Sequence, residues 1–274
     1  MHGDLYGVWA KYQRGMEQLT ALHKEVLAFG KKPHPYTIYS QVNDERTHYV
    51  FALKPAWPTD LHDRWGAIIG EIVHDFRSAL DQLVCEFVRL NGGTPRKSHS
   101  FPLRKEEPTQ GFAVEMRRQR ADRRGHMLYG PLFGVSDDAV ALIESCQPYK
   151  GPNGARLRQL HDLWNTDKHE TLIPTILWGP DPEIKLTNAI LIAQPPGRFE
   201  GDTYLIEVLI AAESVEGPDP KVDVEPHAPI DIALSDGREP VIEALRNAAT
   251  VVLIGLLHPA MDLFPEDKSV RLPF

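Results

Sequence analysis

The chain has 274 residues, of which 42% are hydrophobic and 25% are charged, and its formal net charge is −8. This composition predicts a globular protein with a large core, and the acidic balance argues against broad, nonspecific coating of nucleic acid. Cys85 and Cys146, the two cysteines, lie among apolar residues, so we expect reduced thiols in a cytoplasmic protein. The longest apolar run, 248–257, is about half a membrane span, which favours a buried helix and no membrane partner.

The first third of the chain predicts a helix, a β-hairpin and a second helix. Apolar residues recur at three- and four-residue steps over 4–29, as on one face of a helix. Two alternating runs, 36–42 and 47–54, are joined by Asn-Asp-Glu-Arg and predict the hairpin. A long central helix then runs to about Leu90, before an Asn-Gly-Gly stop signal.

The middle of the chain predicts shorter helices separated by loops. We expect Phe101-Pro102 to anchor the loop 91–108 in the core, and a short helix to follow it. Ser136 is placed to cap a helix that ends near Cys146. Another helix is predicted over roughly 155–170.

From Leu172 the hydrophobic period changes to two. Four alternating runs predict an antiparallel meander, and they span 171–178, 184–194, 203–212 and 221–234. A last helix is predicted over 240–263. Because helices and strands are segregated along the chain, the fold class is α+β. We expect a mainly helical bundle over 1–170, including hairpin 36–54, and a sheet with a C-terminal helix over 171–274, packed as one composite unit.

The central helix carries a stripe of reactive side chains. His74, Arg77 and Asp81 lie along one seam at i, i+3 and i+7. Arg77 falls within the apolar arc, so we expect it to be half buried and paired with Asp81, one turn further on. The residues expected on the opposite, polar face are Glu71, Asp75, Ser78, Gln82, Glu86 and Arg89.

The second polar cluster is Leu160–Glu170. On a helix His161, Asn165 and His169 share one face, with Asp167 and Lys168 beside them. Either the two helices form a composite site, or these residues are a buried network that fixes helix register, with Asp167 and His169 as helix-end caps. In both cases we expect the helices to touch. The predicted contact, within hydrogen-bond reach, joins the set His74, Arg77, Asp81 to the set His161, Asn165, Asp167, His169.

Two further signals have alternative interpretations. Five arginines fall in the eight positions 117–124, and they form either a solvated helix face or a phosphate-contacting patch that includes Arg117, Arg118 and Arg120. A His/carboxylate metal site would use Glu71, His74, His161, Asp167 and His169, but no second Glu-x-x-His motif falls on a predicted helix, as a di-iron bundle requires. The sequence also lacks GxSxG, P-loop and GxGxxG motifs, so we expect no cofactor.

Three segments resemble a group of uncharacterised bacterial proteins frequent in actinobacteria. Those proteins carry a helix similar to HNLRSALDH, an FP loop and a helix ending in N-x-DKHR. The matching segments here are His74–Gln82, Phe101-Pro102 and Asn165–Glu170, and the likeness covers 36–172. The R-x4-H pattern of the first helix looks like that of the HEPN superfamily, which includes metal-independent RNases of toxin and defence systems.

The resemblance implies a site for RNA or a nucleotide, usually composed across a homodimer. Arg77 would stabilise phosphate charge, and a histidine would transfer protons. Here Gln82 stands where the HEPN histidine should be, so His74 or His169 would substitute beside Asp81, or the site would bind without cleaving. Arg156-x4-His161 also fits the pattern. The alternatives to an RNA-binding protein or ribonuclease are a non-catalytic ligand-binding or interaction protein and a metalloenzyme.

Overall fold

The computed structural model describes residues 4–30, 36–55, 61–169, 174–177, 183–195, 197–200, 203–212, 221–225, 231–234 and 240–264. The fold is α+β, as the segregation of helical and alternating patterns predicts. The helices are α1 (Tyr6–Gly30), α2 (Leu61–Leu90), α3 (Phe112–Met116), α4 (Asp137–Ser145), α5 (Pro152–His169), α6 (Val241–Thr250) and α7 (His258–Leu263). The strands are β1 (Tyr36–Val42), β2 (His48–Pro55), β3 (Gln119–Ala121), β4 (Met127–Tyr129), β5 (Pro174–Leu177), β6 (Glu183–Thr187), β7 (Ala189–Ala193), β8 (Arg198–Glu200), β9 (Thr203–Ala212), β10 (Lys221–Glu225) and β11 (Asp231–Leu234).

The chain forms two compact units. The first consists of Met1–Thr20, Ala67–Leu172 and Glu243–Phe274, and the second consists of Ala21–Gly66 and Ile173–Ile242. Each unit takes segments from both sides of residue 170, the position at which the sequence suggests a division.

The second unit is built on a sheet of order β1-β2-β9-β7, in which β8 also pairs with β9. The predicted hairpin is confirmed, because β1 and β2 pair in antiparallel register from Tyr36↔Pro55 to Val42↔Tyr49. β2 also pairs in antiparallel register with β9, so the hairpin and the C-terminal strands form one sheet. Alternate residues of these strands form a buried core of Phe51, Leu53, Ile206, Val208 and Ile210.

The remaining strands of this unit differ from the predicted meander. β10 pairs with β6 and β11 pairs with β5, so the pairing is nested instead of running between neighbours along the chain. The predicted run 184–194 contains two strands, β6 and β7, because Asn188 adopts a positive φ of 57° between them. Asn tolerates this left-handed conformation better than most residues, and it ends one strand before the next begins.

The first unit is organised around α2. The apolar face predicted for this helix is fully buried, and its members are Ile72, Val73, Phe76, Leu80, Leu83, Val84 and Phe87. The N-terminal part of α1 packs on it, with the rings of Tyr12 and Phe76 5.8 Å apart. A β-carbon on Gly15 would lie 2.7 Å from Phe76, so a glycine is needed for this close approach. Ser136 caps α4 as predicted, and accepts a hydrogen bond from the Ala139 amide.

The C-terminal helix is α6, followed by a π-helical segment at Val251–Leu257 and by α7. Together these elements, Val241–Leu263, are long and apolar enough to cross a membrane by length and composition alone. However, 56% of the apolar window is buried within the protein, and core helices meet the same criterion. The thiol of Cys146 donates to the Gly255 carbonyl at 3.4 Å, which fastens α4 to this helix.

The arginine cluster lies on a β-hairpin, so the prediction of a helix face at this position is wrong. β3 pairs with β4 in antiparallel register, and Arg120 lies opposite Leu128. Arginine and glutamine are good helix formers, but Gly125 has a φ of 82° and closes a tight turn that ends any helix. We call residues 117–130 the arginine ribbon.

Candidate functional site

Arg77 is buried on α2 and clamps the Phe101 loop to that helix. Its side chain is 5% exposed, and Nη2 lies 2.8 Å from Asp81 Oδ1 and 2.6 Å from the Phe101 carbonyl oxygen. The Phe101 amide donates to the same Asp81 oxygen at 2.8 Å. The predicted Arg77–Asp81 pair is therefore confirmed, and so is the anchoring of Phe101, which is 1% exposed.

A second residue, Gln147, holds the same loop from the segment that follows α4. Gln147 is fully buried, and its Nε2 donates to the carbonyls of Pro102 at 2.9 Å and Ile143 at 3.1 Å. Its Oε1 accepts from the Arg104 amide at 2.9 Å. Polar side chains with no access to water require such complete pairing, so the loop 101–104 has a single defined position beside Arg77.

α2 and α5 touch, as predicted, but the contact differs from the predicted one because Trp164 of α5 lies against Arg77. The Arg77 guanidinium lies 5.2 Å from the Trp164 ring centroid, within the range of a cation–π interaction. The Lys168 ammonium lies 3.0 Å from the centroid of the same ring. Among the described side chains, no hydrogen bond joins the two predicted sets, because Arg77 uses the Phe101 carbonyl in place of Asp167.

His161 and Asn165 lie next to this aromatic ring. The imidazole and indole centroids are 5.7 Å apart, and Asn165 Nδ2 lies 3.0 Å from His161 Nε2, so the amide donates to the imidazole. Burial lowers the pKa of His161 to about 4, and the charge of Arg77 adds to the effect. The imidazole is therefore neutral at pH 7, with its proton on Nδ1, which is buried without an acceptor among the described residues.

Asp167 and His74 form the other end of the contact. Asp167 lies against Gly70, where a β-carbon would overlap its carboxylate, so the glycine admits α5 to this part of α2. Burial raises the pKa of Asp167, and the nearby charge of His74 opposes that shift. His74 is exposed, and its Nε2 lies 3.2 Å from the Ser78 hydroxyl. The side chain of His169 lies outside the described residues.

The candidate metal ligands whose side chains the structure describes, Glu71, His74, His161 and Asp167, do not form a metal-binding group. Glu71 accepts a hydrogen bond from Gln18 of α1 at 2.6 Å. Across the described part of the chain, no three His, Cys, Asp or Glu side chains are grouped so that they could hold a metal ion. The geometry therefore offers no support for the metalloenzyme alternative.

Asp75, which the helical period places on the polar face, is completely buried. Arg14 Nε lies 2.8 Å from its Oδ2 and Lys11 Nζ lies 3.6 Å from its Oδ1. The helical period alone does not indicate this burial, because α1 covers this second face of α2. Lys11 and Arg14, three residues apart on α1, are the signal in the sequence that could have revealed the partner.

A cavity of about 530 Å³ lies on the other side of Asp81, lined by Asp4, Asp81, Gln82, Cys85, Glu86, Arg89 and His99. Gln82, at the position of the HEPN histidine, faces this cavity. Burial raises the pKa of both Asp81 and Glu86. Because three carboxylates accompany a single arginine, this lining would repel a phosphate group. The anion-compatible surface is thus on the α5 side.

Comparisons with protein families, curated proteins and solved structures find no match to this chain. The likeness to HEPN proteins therefore depends on the quoted motif residues alone. The structure brings together Arg77, Asp81 and Phe101, and it places His161, Trp164 and Lys168 beside them. We call the surface formed by His74, His161, Trp164, Asn165 and Lys168 the α2–α5 surface.

Proposed function

We propose that the chain binds RNA or a nucleotide at the α2–α5 surface. The observation that carries the proposal is Trp164, a partly exposed ring with the Lys168 ammonium against it and the buried Arg77 guanidinium nearby. An indole in a positive environment is the usual receptor for an unpaired base, and stacking contributes about 1–3 kcal/mol per base. Lys168 is exposed and can turn to a phosphate, which frees the ring for the base.

The role of Arg77 differs from the one that the HEPN resemblance implies. A guanidinium whose side chain is 5% exposed, with one nitrogen shared between Asp81 and a backbone carbonyl, is poorly placed to contact a phosphate directly. We assign it to positioning, because it holds the Phe101 loop and supplies positive potential beneath Trp164. Lys168 and Asn165 then make the direct contacts.

The proposal is tested by binding of a fluorescent single-stranded RNA, measured by polarisation at about 0.1 M salt. We expect Trp164→Leu and Lys168→Gln each to weaken binding by tenfold or more, in line with the loss of stacking or of a phosphate contact. Thr166→Ala is the matched control, because Thr166 is exposed on the same helix and its hydroxyl donates to the Asp162 carbonyl one turn earlier. Equal affinity of all three variants and the wild type would remove the α2–α5 surface from consideration.

A second candidate function is metal-independent RNA cleavage. It is favoured by two histidines, His74 on α2 and His161 on α5, at the same surface, of which His161 is neutral at pH 7. In such a reaction a neutral imidazole takes the proton of the 2′-hydroxyl as it attacks the adjacent phosphorus. A protonated imidazole gives a proton to the departing 5′-oxygen, which leaves a 2′,3′-cyclic phosphate.

Cleavage is distinguished from binding by His161→Asn and His74→Asn. If the chain is a ribonuclease, both variants retain RNA but lose cleavage by at least 100-fold, in line with the loss of general acid–base catalysis, and EDTA leaves the wild-type rate unchanged. Intact RNA after prolonged incubation with wild-type protein would overturn the cleavage proposal, and only the binding proposal would stand.

A further inference from the structure

The arginine ribbon has an ordered tip. The Asp122 carboxylate accepts hydrogen bonds from the amides of Arg124 and His126, both at 2.8 Å, and the Asp122 amide donates to the His126 carbonyl, also at 2.8 Å. These hydrogen bonds lower the pKa of Asp122. Gly125 supplies the left-handed residue that the turn requires. The tip therefore presents its side chains from a defined backbone.

The base of the ribbon is fastened to the rest of the first unit. Arg117 bonds the Asp137 carboxylate at 2.5 Å and also the Val135 carbonyl. The Arg96 guanidinium lies 3.9 Å from the Tyr129 ring centroid. The Gly130 amide donates to the Arg118 carbonyl at 2.8 Å, which extends the strand pairing by one step beyond β3 and β4.

The remaining arginines have no such partners. All four are exposed, and among the described residues no carboxylate forms an ion pair with them: Arg118, Arg120, Arg123 and Arg124. The ribbon itself contains a single acidic residue, Asp122, in a chain whose net charge is −8. Four unpaired guanidinium groups on a preorganised ribbon form a receptor for phosphates, which they can bind bidentately.

We propose that the arginine ribbon is a second contact surface for RNA, which binds the phosphate backbone without reading the sequence. This inference rests on the proposed function, because RNA at the α2–α5 surface would be the natural partner of a basic ribbon in the same unit. The proposal changes the set of phosphate-contacting arginines predicted from the sequence. Arg117 is assigned to the structure, and Arg123 and Arg124 are added to Arg118 and Arg120.

The apolar residues of the ribbon favour RNA over an anionic membrane. Met127 and Leu128 are 48% and 42% exposed. Leu128 lies opposite Arg120 and Met127 lies opposite Ala121, so the two apolar side chains point to opposite faces of the ribbon. A membrane-inserting surface needs its apolar groups on one face, with the basic groups around them.

The test is the variant in which Arg118, Arg120, Arg123 and Arg124 are all replaced by Gln. Its matched control removes four exposed charges elsewhere, in Lys24, Lys97, Lys105 and Lys221, also by Gln. We expect the ribbon variant to bind single-stranded RNA at least tenfold more weakly than wild type at about 0.1 M salt. The slope of the logarithm of the association constant against the logarithm of the salt concentration should become shallower by about 3, or about 0.7 for each lost phosphate contact. The control should retain the wild-type slope.

The outcomes separate this proposal from the first. If the ribbon variant has normal RNA affinity and Lys168→Gln loses affinity, the proposal for the ribbon is overturned and the proposal for the α2–α5 surface stands. If the ribbon variant loses RNA affinity while Lys168→Gln and Trp164→Leu bind normally, the proposal for the ribbon stands and the proposal for the α2–α5 surface is overturned. If wild-type protein ignores RNA but sediments with vesicles that contain anionic lipid, and the ribbon variant does not, the ribbon's partner is a membrane and both RNA proposals fail. Absence of binding to RNA and to vesicles would also overturn both.

Discussion

Arg77 and the arginine ribbon use the same side chain in opposite ways. Arg77 is buried, and one of its nitrogens serves both a carboxylate and a backbone carbonyl of the same unit. The four outer arginines of the ribbon are exposed and have no ion-pair partner among the described residues. A buried charge must be paired to be tolerated, whereas an exposed charge remains available for a ligand. The difference indicates that Arg77 supports the structure and that the ribbon is free for binding.

The largest effect is expected for Arg77→Ala. The substitution leaves Asp81 partly buried without its cation and the Phe101 carbonyl without its donor, so we expect a loss of about 3–5 kcal/mol in the free energy of unfolding. Chemical denaturation would measure it. The double variant Arg77→Ala/Asp81→Ala should lose less than the sum of the single variants, because the two residues interact directly. A loss below about 1 kcal/mol would show that Arg77 does not hold the loop.

Arg117→Ala sharpens the comparison. Arg117 lies within the ribbon, but, like Arg77, it bonds both a carboxylate and a backbone carbonyl. It is 28% exposed and bonds Asp137 and the Val135 carbonyl. We expect Arg117→Ala to cost about 1.5–3 kcal/mol of unfolding free energy, the usual value of a hydrogen bond that involves a charged group. The neighbouring Arg118→Ala should change it by less than about 0.5 kcal/mol. Equal effects at the two positions would contradict the assignment of Arg117 to the base of the ribbon.

The predictable part of the fold is the part in which local pattern and tertiary environment agree. The alternation at 36–42 and 47–54 predicts β1 and β2 almost to the residue, because one face of this hairpin reaches a buried core. The apolar stripe of α2 and the burial of Arg77 follow from the helical period in the same way. In each case a single periodic pattern determines which side chains are buried.

The sequence is less informative where a second element decides the environment. Asp75 is polar and lies outside the apolar arc, but α1 covers it and supplies Lys11 and Arg14. The arginine ribbon has good helical propensity, and only Asp122 and Gly125 mark the turn that makes it a hairpin. The choice of Phe101 over Asp167 as the partner of Arg77 depends on a backbone carbonyl, which no side-chain pattern reveals.

The burial of His161 beside Arg77 should make the stability of the protein depend on pH. Its pKa is lowered to about 4, from an ordinary value near 6.5, so the unfolded chain binds a proton at a pH where the folded chain does not. Stability should therefore fall as the pH decreases from about 6.5 to about 4. We expect His161→Gln to reduce this fall by on the order of 1 kcal/mol, allowing for solvent screening, in thermal denaturation at pH 7 and pH 5. An unchanged pH profile would show that the imidazole is not desolvated beside Arg77.

The smallest effect on stability is expected for the ribbon itself. Replacement of Arg118, Arg120, Arg123 and Arg124 by Gln removes four exposed side chains that form no ion pair with any described residue, so the free energy of unfolding should change by less than about 0.5 kcal/mol. Any change at low salt should be a small gain, because four like charges within seven residues repel each other, and it should vanish at about 0.5 M salt, where that repulsion is screened. Denaturation of wild type and variant at both salt concentrations would measure it. A loss of 2 kcal/mol or more would mean that these arginines, like Arg77, hold the fold together, and the contrast between the two regions would no longer stand.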